Sequence, residues 1–164
     1  MHGNGPAFMF GPGLDGAVDA RLRAAVAKTE PPEIGPTLDA DILDHLDLHE
    51  WRLAVIQTAV FFEAWLSRFA RARFAQAGPS PSAIEAKFLR SDGQPKSATA
   101  IAKNLVKEAT GVDFSATTEY DNWAKEVRDL RNDLVHGKRF DVTHSEAIRA
   151  HEAVHVAIAL LQTQ

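Results

Sequence analysis

Apolar residues along this chain recur at intervals of three and four rather than in alternation, and that spacing predicts helices almost throughout. The clearest stripe is Tyr120, Trp123, Val127, Leu130 and Leu134, spaced three, four, three, four. Its helix is predicted to end near His136, because Gly137 is the preferred left-handed stop and Lys138 and Arg139 follow where positive charge suits a helix C-terminus. From Trp51 to Phe74 the apolar positions Trp51, Val55, Ile56, Ala59, Val60, Phe62, Trp65, Leu66 and Phe69 cover more than one face. A helix apolar that far round is buried on several sides, in a bundle centre or at a subunit contact. Gly78-Pro79 stops it. Ser80-Pro81 then pairs a cap with a first-turn proline and opens a short helix to about Leu89. Turn residues fill Ser91 to Pro95, and Ile101, Leu105 and Val106 mark a further helix to Ala109, closed by Gly111. Thr143-His144-Ser145-Glu146 is a capping box, and it starts a last helix through Ile148, Val154, Ile158 and Leu161.

Upstream, Leu14, Val18, Leu22 and Val26 predict a short amphipathic helix over Leu14 to Lys28, ended by Pro31, Pro32, Gly35 and Pro36. Thr37 is placed to cap a helix beginning at Leu38, with Asp39 and Asp41 in its first turn, and the helical reading runs on from there into the Trp51 segment. Glycine and proline punctuate residues 1–13, which read as a flexible tail. No internal repeat and no long strand alternation occurs. The expected architecture is all-α, a helical bundle of about four to six helices forming one domain over residues 14–164.

At 164 residues, with 45% hydrophobic and 24% charged residues, the chain has the size and balance of one globular domain. Apolar runs are short, Val60-Phe61-Phe62 being broken at once by Glu63, so no membrane span is expected. The first ten residues lack the pattern of a secretory signal, and a cytoplasmic location is the expectation. The absence of cysteine excludes thiol catalysis, zinc fingers and iron-sulfur ligation, so any metal must be held by histidines and carboxylates. The net charge of −4 hides an asymmetry: residues 1–50 carry nine acids and three bases, residues 51–164 thirteen acids and fifteen bases. An anion would therefore meet the second part, at Arg68, Arg71 and Arg73, whose plain reading is a solvated helix face, or around Lys125, Arg128, Arg131, Lys138 and Arg139. The acidic segment from Asp39 to Glu50 would either shield that basic region or solvate a helix.

Two clusters carry candidate chemistry. In Arg131-Asn132-Asp133-Leu134-Val135-His136, a permanently cationic fork able to grip phosphate oxygens stands near a side chain that changes protonation close to neutral pH. That pair suits phosphodiester cleavage. Five residues of straight α-helix, however, turn Arg131 and His136 roughly 140° apart, so the site needs the fraying last turn or a second copy across a two-fold axis. Glu63, within apolar sequence, wants a cation, and pairing with Arg131 would orient the guanidinium; the alternative is a wet helix face.

The second cluster is His151-Glu152-Ala153-Val154-His155, an HExxH sequence whose two histidines share a helix face and can chelate zinc while Glu152 polarises a water. No His, Asp or Glu follows to supply a third ligand, which would have to come from another helix. His45 and His49, four apart beside Asp44, Asp47 and Glu50, raise the alternative of a four-histidine site in the bundle.

With these residues in view, the chain resembles HEPN domains. Arg131 to His136 matches the R-x4-H form of that superfamily's R-x4-6-H motif with a polar Asn132 after the arginine, VRDLRNDLVHG resembles its C-terminal half, and AVIQTAVFFEAWLSRF its long early helix with a single Glu. The resemblance spans roughly residues 40–162 and implies a helical, usually dimeric domain. It further implies a metal-independent endoribonuclease of toxin or defence type, without cofactor, acting on RNA and open to control by an antitoxin protein. In that reading Arg131 holds the scissile phosphate, His136 is general acid or base as the ribose 2′-hydroxyl attacks, Asn132 orients the pair or bonds the RNA, Glu63 supports Arg131, and Arg128, Lys138 and Arg139 contact RNA. Some family toxins carry a modifiable tyrosine two residues after the histidine, where this chain has Lys138. Alternative functions are a non-catalytic module of the same kind that binds RNA, a nucleotide or a partner protein, and a His-rich metal-binding bundle with His151 and His155 as ligands.

Overall fold

Where the apolar stripes predict them, helices form in the computed structural model, which describes residues 34–164. The tail over 1–13 and the helix expected over Leu14 to Lys28 lie outside the described residues. Among the described residues the architecture is all-α, with six helices. Helix α1 spans Ile34–Asp47, α2 Trp51–Gln76 and α3 Pro81–Lys87. Helix α4 runs over residues 98–110 and α5 over residues 118–135, each an α-helix interrupted by a π-helical turn, at Ile101–Leu105 and at Ala124–Asp129. Helix α6 spans His144–Gln162. The only extended pairing among these residues is an isolated bridge between Leu89 and Pro95, around the Ser91 to Gln94 turn.

Most helix ends follow the expected local chemistry. The Ser80 side chain accepts the Ala83 N–H with Pro81 in the first turn, and the Thr143–Glu146 capping box is complete. Helix α5 ends in a Schellman motif: Gly137, at φ +67°, donates to the Leu134 carbonyl and Lys138 donates to the Asp133 carbonyl. Helix α1 differs from expectation at both ends. It begins at Ile34 and takes Pro36 into its first turn, where no intrahelical donor is lost. It does not run on into α2. The chain turns at Leu48-His49-Glu50 through a second Schellman motif, with the Glu50 N–H on the His45 carbonyl and His49 held at φ +61°. A histidine there gave no glycine signal to read.

The core is the meeting of α2 with α5 and α6. All of Tyr120, Trp123, Val127, Leu130 and Leu134 are buried, as are Val154, Ile158 and Leu161 of α6. Phe62 of α2 lies 5.2 Å from Trp123 and 6.5 Å from Phe114, ring centre to ring centre, and Tyr120 closes the cluster edge-on against Phe114 at 5.6 Å. Trp65 stacks between Phe62 and Phe69, at 6.1 and 5.0 Å. These aromatic residues pack the core, with Trp51 half-buried at its edge. By length and composition α2 is also long and apolar enough to cross a membrane, which the short apolar runs did not predict. Ala54, Val55, Phe61, Phe62, Leu66, Ala70 and Phe74 spend that apolarity on the core.

Candidate functional site

The motif-bearing helix is held from beneath. Leu130 and Leu134 anchor the last turns of α5 in the core, which leaves Arg131, Asn132 and Asp133 half-buried and Val135 and His136 exposed. The backbone stays α-helical to the end, since the His136 N–H donates to the Asn132 carbonyl at 2.9 Å. The roughly 140° between Arg131 and His136 is therefore kept, and no side-chain hydrogen bond joins them.

Arg131 donates from Nη1 to Asn132 Oδ1 at 3.1 Å, and its Nε is buried with no hydrogen-bond partner among the described residues. No ion pair between Glu63 and Arg131 is present among the described residues, so Asn132, and not Glu63, orients the guanidinium. Arg71 faces Glu85, Arg90 faces Asp92, Arg128 faces Asp129, Arg139 faces Glu146 and Arg149 faces Glu126. Arg131, like Arg52, Arg68 and Arg73, has no carboxylate partner among the described residues. His136, capping the helix C-terminus, is exposed and has no side-chain partner among the described residues.

The other basic residues expected around the motif are placed unequally. Arg139 is committed to the fold: its Nη2 donates to both Glu146 oxygens at 2.8 Å, and its Nε to the Asp141 carbonyl at 2.7 Å. Arg128 bonds Asp129 through Nε at 2.9 Å and lies over the Trp123 ring. Lys138 is 72% exposed, with Asp133 4.0 Å away.

A second cluster assembles elsewhere. His151 and His155, one turn apart on α6, converge with Asp39 of α1, and Asp39 Oδ1 stands 3.0 Å from His151 Nε2 and 2.9 Å from His155 Nε2. The two Nε2 atoms are 3.0 Å apart. Partial burial pushes the Asp39 carboxyl up, but the hydrogen bonds and charge of the two imidazoles outweigh it and hold the pKa below the ordinary value of 3.8. The four-histidine site raised from the sequence does not form. His45 Nδ1 bonds Glu50 at 2.6 Å, and His49 lies edge-on to Trp51 in the turn. Asp39 supplies the missing third group, and a carboxylate 112 residues upstream gave the HExxH reading no local signal. Glu152 points elsewhere: it lines a groove between α5 and α6 with Glu119, Asn122, Glu126 and Arg149, whereas Phe61 of α2 packs beside His155. The HExxH glutamate is thus directed away from the triad that would hold a metal.

Comparison of the chain with protein-family models, curated protein sequences and solved structures finds no match.

Proposed function

We propose that this protein is a metal-independent endoribonuclease of toxin or defence type, working as a homodimer through Arg131 and His136. The reading is supported by a half-buried guanidinium whose Nε is buried and unbonded and which has no carboxylate partner among the described residues, while Arg128 and Arg139, the arginines nearest to it in sequence, are paired. A guanidinium fixed by Asn132 and not neutralised from within is prepared for an external anion, and its planar fork suits phosphate oxygens.

Arg131 stabilises the charge that develops on the scissile phosphate. His136, solvent-exposed at the helix end, handles the protons. The ribose 2′-oxygen attacks phosphorus and gives up its proton, the bond from phosphorus to the 5′-oxygen breaks, and that oxygen leaves as a hydroxyl after taking a proton. The products are a 2′,3′-cyclic phosphate and a 5′-hydroxyl end. Because one helix aims Arg131 and His136 about 140° apart, the working pair consists of Arg131 from one protomer and His136 from its partner. Exposed Val135 and Phe140, 53% and 69% accessible on either side of His136, offer apolar surface for that contact. Lys138 supplies charge toward the strand.

Incubation of RNA with the wild type, Arg131→Ala and His136→Ala, each with and without EDTA, tests this reading. Cleavage that resists EDTA and disappears in both variants supports it. Binding without cleavage by the wild type would replace it with a non-catalytic RNA-binding module.

A further inference from the structure

We propose that Asp39, His151 and His155 form a binding site for one divalent first-row transition metal ion, which clamps α1 onto α6. The site is separate from the Arg131–His136 motif and independent of the ribonuclease reading.

The separations of the three donor atoms are those of a metal site. With bonds of about 2.1 Å, adjacent donors on an octahedral ion sit about 3.0 Å apart and those on a tetrahedral ion about 3.4 Å apart. The observed triangle, 2.9, 3.0 and 3.0 Å on its sides, matches one face of an octahedron and reaches tetrahedral spacing by opening a few tenths of an ångström. Two imidazoles and one carboxylate prefer zinc, iron, cobalt or nickel over magnesium or calcium, which require more oxygen donors. The opposite side of the ion is left for water or a small ligand.

Protons do not satisfy this triangle. Each Nε2 is either an N–H donor or a lone-pair acceptor, and an ionised carboxylate only accepts. If both imidazoles donate to Asp39, two N–H groups confront each other at 3.0 Å. If only one carries its proton at Nε2, the bare nitrogen of the other opposes the carboxylate oxygen. One side of the triangle is unfavourable in either arrangement, whereas a single cation at its centre satisfies all three.

The arrangement is also built into the helices. The i, i+4 spacing stacks His151 and His155 on the face of α6 directed to Asp39. His151 is 17% exposed and Asp39 31%, while His155, at 43%, leaves a path for the ion.

Metal titration by calorimetry, with zinc and separately with nickel, tests the proposal on the full chain stripped by EDTA and dialysed. Wild type is expected to bind one ion per chain, and its thermal midpoint to rise with added metal. Asp39→Ala and His155→Ala should each weaken binding by at least about tenfold, while His45→Ala, which removes a histidine outside the site, should bind like wild type. Circular dichroism of the metal-free variants separates lost ligation from lost folding, and His155→Asp, which restores an oxygen ligand, should recover part of the affinity. Absence of binding by wild type, equal binding by wild type and folded His155→Ala, or displacement of zinc by equimolar magnesium would each overturn the proposal. RNA cleavage in EDTA reports on Arg131 and His136 alone, so the two readings fail separately.

Discussion

Asp39 Oδ1 lies 2.9 Å from His155 Nε2 across 116 residues of sequence, so a carboxylate of the first described helix closes on the last. This contact and its companion to His151 tie α1 to α6 even without metal. Replacing Asp39 by alanine removes the acceptor that the two adjacent imidazoles share. In EDTA, Asp39→Ala should lose about 1–3 kcal/mol of stability, read as a lower urea midpoint with an unchanged slope.

Among the described residues, Glu146 is the carboxylate most strongly held in its charged form. The Thr143 N–H at 2.9 Å, then the Arg139 guanidinium and the Thr143 hydroxyl, both at 2.8 Å, lower its pKa from 4.5 to about 2 despite partial burial. Its folded pKa is below the unfolded one, so its stabilisation is complete above pH 4.5 and fades as pH falls from there toward 2. Glu146→Gln keeps the cap geometry and removes the charge. It should cost about 1–2 kcal/mol at pH 7, discounted for the partly exposed Arg139, and the gap to wild type in urea unfolding should narrow between pH 4.5 and 3.

His49 holds φ +61° in the turn that separates α1 from α2. A side chain in the left-handed region is strained where glycine is not. His49→Gly should raise stability by roughly 0.5–1 kcal/mol, measured by thermal or urea unfolding. A decrease would mean that the 5.8 Å ring contact with Trp51 outweighs the backbone strain.

Leu134 is 1% exposed and sits between Asn132 and His136 in sequence. Leu134→Ala should cost about 2–5 kcal/mol and impair RNA cleavage by loosening the helix end. Val135→Ser, on the exposed side of the same turn, should leave stability nearly unchanged but weaken dimerisation in sedimentation experiments.

Much of this fold is legible in the sequence because it depends on local periodicity. The Tyr120 to Leu134 stripe is buried throughout, the Thr143–Glu146 box closes as its residue types require, and Gly137 takes the left-handed stop. Three features are not legible, each for a physical reason. The break at His49 uses a residue without glycine's freedom. The π turn at Ala124–Asp129 leaves the three-four spacing of apolar residues intact. Asp39 reaches His151 and His155 only through tertiary packing, which no spacing rule within one helix contains. Around the motif, residue types revealed the charge of Arg128 and Arg139 but not that Asp129 and Glu146 engage it, and Glu63, apolar by its neighbours, makes no ion pair with Arg131.

Complementation between two variants decides whether Arg131 of one protomer and His136 of the other work on the same phosphate. Arg131→Ala and His136→Ala are unfolded together, refolded as a mixture and assayed on RNA in EDTA beside wild type. Half of the dimers are then mixed and one of their two composite sites is intact, so the mixture should recover about a quarter of wild-type cleavage although each variant alone is inert. Wild-type protein that leaves RNA uncut, or an active wild type beside a mixture as inert as its components, would rule out catalysis shared between protomers.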